Sequence, residues 1–289
     1  MVEENMKCRI CSSNQMKTFK SGSANLNAAH FKISDSNYGE TFALSKCINC
    51  GLVQTTEKID LDQIYSQMED PDYVASEPAR AQQARDLLSQ LGPLKGKSLL
   101  DFGAASGILV SEAAKLGALA IGVEKSRWLV EQAERKSRPV TIRTLTELES
   151  ENMKFDVITL VDVIEHVDDP LGTLIQCERL LRPGGKILLT TPDHASIARQ
   201  LFRAKWWHYR AAHITYFSLR DLNFLAERAG FEIESKARPK WYFSRAYFFA
   251  RMSKYLPFTW NPQVHATTAA SFISLNLFDS WSCVMRVRP

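Results

Sequence analysis

Leu100-Asp101-Phe102-Gly103-Ala104-Ala105-Ser106-Gly107 is the stretch on which the fold turns. It closes a strand-like run over 97–102 and leads directly into a helical pattern over 108–115. Glycines at such a bend let the backbone pass close to a ligand. In an open α/β sheet, ligands sit outside the carboxyl ends of the strands. Spacing then separates the cofactors. A dinucleotide site needs G-x-G-x-x-G, whereas Gly103 and Gly107 stand four apart and no glycine completes that pattern. The next strand pattern, 118–123, runs into Glu124, a carboxylate placed to accept hydrogen bonds from a ribose diol.

Outward from this turn, the chain alternates. A helix is predicted over 127–135, strands over 140–145 and 155–163, and an amphipathic helix over 170–182 stopped by Pro183-Gly184-Gly185. A strand over 186–191, a helix over 218–229 and strands over 231–236 and 282–287 follow. This alternation predicts an α/β architecture, a mostly parallel sheet with helices on both faces. Residues 52–80 read as a polar linker with short helical pieces.

Four of the six cysteines form two matched pairs, Cys8-x-x-Cys11 and Cys47-x-x-Cys50, the second followed by Gly51. Two such turns can close a four-thiolate site with no open position, which points to structural zinc. A redox pair or unrelated thiols are the alternatives. The 35 residues between the pairs must themselves fold, and Tyr38-Gly39-Glu40-Thr41-Phe42 is expected in a hairpin. Cys177 and Cys283 read as packing residues.

Composition excludes several classes. Hydrophobic residues make up 45% and charged residues 24%, which rules out disordered and fibrous chains. The net charge of +4 is too small and scattered for a phosphate-backbone binder, so no nucleic-acid partner is expected. The start, Met1-Val2-Glu3-Glu4-Asn5, lacks a signal-peptide pattern, and no uncharged apolar run reaches membrane-spanning length. The expectation is a cytoplasmic protein with no transmembrane segment.

Asp101-Phe102-Gly103-Ala104-Ala105-Ser106-Gly107 resembles the D-x-G-x-G-x-G motif of class I S-adenosylmethionine-dependent methyltransferases, with Ala105 in place of the middle glycine. Asp162-Val163-Ile164-Glu165-His166-Val167-Asp168-Asp169-Pro170 and Arg182-Pro183-Gly184-Gly185-Lys186 resemble the fourth- and fifth-strand signatures of one branch. The cysteine pairs, with Cys47-Ile48-Asn49-Cys50-Gly51-Leu52-Val53-Gln54, resemble the zinc segment of bacterial sugar methyltransferases. The resemblance implies a Rossmann-like sheet with an antiparallel last strand and a small N-terminal zinc-binding module. It divides the chain into a module at 1–58, a linker or helical cap at 59–95, and a methyltransferase domain at 96–289 with a helical insertion near 240–272. It also implies that Asp101, Gly103, Ala105, Gly107, Glu124 and Asp162 bind S-adenosylmethionine, and that Cys8, Cys11, Cys47 and Cys50 bind zinc.

Methyl transfer from a sulfonium demands alignment of donor and acceptor and removal of a proton from the acceptor. Histidine suits the second task. His166 follows the fourth strand, and His208 and His213 lie in Trp206-Trp207-His208-Tyr209-Arg210-Ala211-Ala212-His213. His213 occupies the place that resemblance gives to a general base, although the Glu-His of some relatives is Ala212-His213 here. His166 is a second catalytic candidate, and Tyr73 a lid residue on resemblance alone. The acceptor implied is a small sugar-containing molecule such as a sugar nucleotide or glycan precursor. Methylation of RNA and a non-catalytic partner role are the competing readings. The fourth strand lacks the N-P-P-[YF] that aligns a planar amine. Trp241, Tyr242, Phe243, Tyr247, Phe248 and Phe249, interleaved with Arg245, Arg251 and Lys254, suggest packing or a homodimer contact, with peripheral membrane contact the lesser alternative.

Overall fold

The computed structural model describes residues 7–24, 26–245, 248–249 and 272–288. Its strands, in chain order, are β1 (Met16–Lys20), β2 (Leu44–Cys47), β3 (Val53–Thr55), β4 (Ser98–Phe102), β5 (Leu119–Val123), β6 (Val140–Thr141) and β7 (Phe155–Val161). They continue with β8 (Leu181–Pro192), β9 (Thr215–Tyr216), β10 (Phe231–Ala237), β11 (Trp241–Ser244), β12 (Phe272–Leu275) and β13 (Ser280–Val287). The helices are α1 (Leu61–Ser66), α2 (Pro71–Ala75), α3 (Glu77–Leu88), α4 (Ile108–Lys115), α5 (Arg127–Glu134), α6 (Leu145–Ser150), α7 (Pro170–Leu180), α8 (Ile197–Phe202) and α9 (Leu219–Arg228).

Seven strands form the central sheet in the order β10-β13-β8-β7-β4-β5-β6. Strands β4 to β8 run parallel, and β13 is antiparallel to both β8 and β10. The expected Rossmann-like sheet with its reversed last strand is therefore present. Its central strands are buried on both faces, so Leu99, Leu100, Ile158, Leu160, Leu188 and Leu189 read as apolar runs. Strand order reverses between β4, which leads outward to β5, and β7, which leads the other way. The crevice at their carboxyl ends is where a ligand binds.

Four expectations are corrected. The third strand spans only Val140–Thr141, because Thr144 and Glu147 form a capping box that starts α6 at Leu145. The helix expected to stop at Pro183-Gly184-Gly185 already ends at Leu180, and that tripeptide lies within β8 as an irregularity, where Phe155 pairs with Leu181 and Val157 with Lys186. Tyr38 to Phe42 form no hairpin, and the pairing between the cysteine turns is instead β1 with β2 and β2 with β3. The helical insertion near 240–272 begins and ends as strands, β11 paired with β12; residues 245 and 248–249 between them are helical, and 246–247 and 250–271 lie outside the described residues.

The N-terminal segment is fused to the large domain. Val53 pairs with Tyr216 and Gln54 with Thr215, so β9 supplies the fourth strand of the small sheet β1-β2-β3-β9. The expected linker at 52–55 is thus a fully buried strand, its Gln54 and Thr55 satisfied by neighbouring groups. Cys8, Ile10, Cys47 and Leu52 share one core with Phe217, Leu222, Leu225 and Cys177. Cys177 and Cys283 are buried as expected. No helix among the described residues is long and apolar enough to cross a membrane.

Phe217 is completely buried at this junction. Phe217→Ala should lower unfolding stability by roughly 3–5 kcal/mol, read from the urea midpoint. A loss below about 1 kcal/mol would mean that the two sheets are not joined through this side chain.

Candidate active site

The turn after β4 is built by backbone conformation. Gly103 and Gly107 have φ of +78° and +70°, and a Cβ at Gly103 would stand 2.6 Å from Val163 Cγ2. Ala105 also adopts a left-handed φ, +47°. What holds it there is Glu124 at the tip of β5. Its Oε2 accepts the Ala105 N–H at 2.8 Å, and Oε1 accepts from Lys125 N at 2.7 Å and Ser126 N at 2.9 Å. Despite these bonds, burial raises the Glu124 pKa. Asp101 is buried and accepts from Thr159 Oγ1 at 2.6 Å. Burial, with the nearby Glu124 charge adding to it, pushes the Asp101 carboxyl up to about 7.

These residues open onto a cavity of about 1670 Å³. A single drug-sized ligand fills roughly 300–1,000 Å³, so this volume accepts a donor and an acceptor together. Asp101, Gly103, Ala105, Glu124 and Asp162 line it, as do Tyr73, His166, His208 and His213. Gly107 stands outside the lining, at the N-cap of α4. Tyr73 is buried beneath the Arg80 guanidinium, 4.0 Å from its ring centroid, and burial raises its hydroxyl to about 12.

The opposite end holds a polar cluster. Strand β7 ends where Asp162 turns at φ +54°, its carboxylate accepting from Thr190 Oγ1 at 2.9 Å. Glu165 is buried, with Oε2 accepting from Thr191 Oγ1 at 3.0 Å and Oε1 unpartnered. Burial and the Asp162 charge raise its pKa well above the usual range. His166 Nδ1 lies 2.8 Å from the Ala212 carbonyl and 2.8 Å from Tyr65 Oη. Since a carbonyl can only accept, Nδ1 carries the proton and Nε2 keeps the lone pair. Burial and the Arg210 charge lower the His166 pKa to about 4.

His213 packs edge-on against His166 at 4.8 Å between centroids, and its Nδ1 is buried without a partner. Burial and neighbouring positive groups push it well below its usual pKa. His208 stacks 6.0 Å from His213, and its Nε2 lies 2.9 Å from Asp279 Oδ2. Asp279 also accepts from Trp207 Nε1 at 2.6 Å. Sequence reasoning gave Asp279 no role. Its only local signal is a buried acid just before β13, and nothing local ties it to residue 208.

The four expected cysteines converge. Cys8 Sγ lies 3.5 Å from Cys50 Sγ, and Cys11 Sγ 3.6 Å from Cys47 Sγ, with all four sulfurs within 4.8 Å of one another. Four thiolates on one tetrahedral zinc at about 2.3 Å would stand ~3.8 Å apart, so this donor set fits that ion. Between the turns, Arg9 donates to the carbonyls of Thr55 and Ile214 and to that of Asp168.

The sequence profile described as a methyltransferase domain matches residues 77–236. A ubiquinone biosynthesis O-methyltransferase of Cereibacter sphaeroides is 33% identical over 153 residues, covering 49% of this chain and 61% of that protein. One from Dinoroseobacter shibae is 32% identical over 174 residues, covering 56% and 69%. The chain thus spans about six tenths of the length of the Cereibacter relative. A Synechocystis magnesium protoporphyrin IX methyltransferase with bound SAH is 15% identical, with a TM-score of 0.50 over 77% of this chain and 89% of that one. At that identity the likeness is one of fold.

Asp101 gives a pH prediction. Its folded pKa lies above the unfolded value of 3.8, so its stabilising contribution is full below that value and is lost as pH rises toward 7. Between pH 4 and 7 the ligand-free wild type should lose on the order of 4 kcal/mol relative to Asp101→Asn. Parallel urea titrations in which the difference between the two proteins stays constant across that range would disprove this.

Proposed function

The chain belongs to the methyltransferase-domain family, and from that premise we propose that it moves a methyl group from S-adenosylmethionine to a hydroxyl of a small acceptor. One observation carries the reading. The turn 103–107, tied through Ala105 N to Glu124, opens onto the same cavity as three histidines. Asp101, Gly103, Ala105, Glu124 and Asp162 hold the donor, with Gly107 setting the turn. Glu124 retains lone pairs for a ribose diol. The donor supplies an electrophilic methyl on a sulfonium whose leaving group is neutral. The protein's task is to orient the two reactants and remove one proton.

His166, His208 and His213 form the acceptor end, and the proton goes to one of these three histidines. Tyr73, under Arg80, closes the donor side. The acceptor we assign is a small sugar-containing molecule such as a sugar nucleotide or glycan precursor. Tyr38 and Trp207 on the cavity wall offer ring faces to it. The O-methyltransferase names of both relatives support oxygen as the methylated atom. Those names also favour a second reading, a quinol-precursor hydroxyl. Residues 1–58 act as a zinc-binding module, with Cys8, Cys11, Cys47 and Cys50 as ligands, and residues 59–95 as a helical cap.

Calorimetry should show binding of S-adenosylmethionine, weakened at least tenfold in Glu124→Ala, since hydrogen bonds to a charged group contribute about 1.5–3 kcal/mol each. Absence of binding by the wild type would end the methyltransferase reading. S-adenosylhomocysteine release with a nucleotide-sugar panel, set against catechols, separates the two acceptor classes. Metal analysis of the purified chain should return one zinc, and chelation should lower its melting temperature. Metal-free protein of unchanged stability would remove zinc.

A further inference from the structure

Three histidines face one cavity, yet they differ in what could hold a proton on them. His166 has a carbonyl and a hydroxyl at Nδ1, and His213 has a buried, unpartnered Nδ1. Neither is hydrogen-bonded to a carboxylate among the described residues, and both are held neutral far below their usual range. His208 alone of the three is bonded to an acid. Its partner Asp279 is 1% exposed, accepts a second bond from Trp207, and is kept below the usual carboxylate range chiefly by the His208 bond working against burial. Two donors on one buried oxygen fix the carboxylate as an anion and fix the imidazole plane.

We propose that His208, oriented and charge-compensated by Asp279, is the catalytic base of the reaction. With Nε2–H donated to Asp279, the lone pair of the ring lies on Nδ1, and no hydrogen bond to Nδ1 occurs among the described residues. His208 lines the same cavity as Asp162 at the carboxyl end of β7, the donor side. In the step itself, Nδ1 takes the acceptor hydroxyl's proton as the oxygen bonds to the methyl carbon. The carbon–sulfur bond breaks with its electron pair left on sulfur. The charge of the sulfonium is thereby replaced by the charge of imidazolium, which Asp279 neutralises until solvent removes the proton. His166 and His213, unable to hold that proton, position the acceptor as neutral hydrogen-bonding groups.

This assignment rests on the methyltransferase reading, so its test must fail separately. The charged and titratable groups facing His208 are Asp279 from the β12–β13 loop, Asp162 from β7 and His213 from its own segment. Imidazole NMR on the full chain would follow His208, with His30, which does not line the cavity, as control. Asp279→Asn should lower the His208 pKa by about one unit or more, while leaving affinity for S-adenosylhomocysteine unchanged. In the wild type, saturating S-adenosylmethionine should depress the His208 pKa by about half a unit or more relative to S-adenosylhomocysteine, because only the former is cationic. His30 should not move. If both compounds bind and leave His208 at the same pKa, the histidine is remote from the methyl and the proposal falls while the activity stands. If neither binds, the activity itself falls. Should Asp279→Asn not fold, the comparison of the two compounds on the wild type decides alone.

Discussion

Two residues of backbone pairing, Val53 with Tyr216 and Gln54 with Thr215, hold the acceptor end of this molecule together. They join segments 160 residues apart, so the cysteine turns and the histidine segment move as one body. Arg9 extends the join, lying between the cysteines and reaching Thr55, Ile214 and Asp168 at once. From Ile214 the chain continues back through His213 to Ala212, whose carbonyl sets the His166 tautomer. Arg210, in the same segment, holds the carbonyls of Lys32 and Ile33, and Asp70 receives Ser34 N and Oγ. The segment that carries the four cysteines is therefore joined by continuous hydrogen bonding to the cavity wall. Small domains need such staples because their own cores are too small to fix a loop.

The donor end is organised differently. Its parts are neighbours in sequence or adjacent strands, and one carboxylate, Glu124, gathers three backbone N–H groups from the turn and from the start of α5. That anchoring explains how alanine is tolerated at 105. A left-handed φ costs a non-glycine residue about 1 kcal/mol, a penalty that the charged hydrogen bond to Ala105 N exceeds.

This contrast explains what the sequence disclosed. The mostly parallel sheet and the donor turn are written in local periodicity and spacing, and those were legible, whereas the reversed last strand was implied by the resemblance alone. The four cysteines were legible because chelation needs a fixed local turn. By contrast, a buried polar strand such as Gln54-Thr55 looks like a linker until its partner, 160 residues away, is known. The strand expected at 140–145 stopped early because Thr144 and Glu147 satisfy each other's backbone and start a helix. The His208–Asp279 pair escaped notice since it joins the least patterned part of the chain to a segment read for its aromatic residues.

Charge ties the two ends together. Asp101, Glu124, Asp162 and Glu165 line one cavity wall, and burial raises the pKa of each. Such a wall is costly to ionise when empty and favourable to ionise beside a cation. By linkage, a cationic ligand entering the crevice favours the ionised form of these acids more than a neutral one of the same shape does. The two flanking histidines are already neutral and cannot buffer the change. A wall of this kind suits a sulfonium better than a neutral thioether of the same shape. Asp279 stands apart from this group, because its two donors keep it ionised in the ligand-free protein. An anion maintained before the donor arrives can compensate a new charge on the adjacent imidazole without waiting for the acids across the cavity to respond.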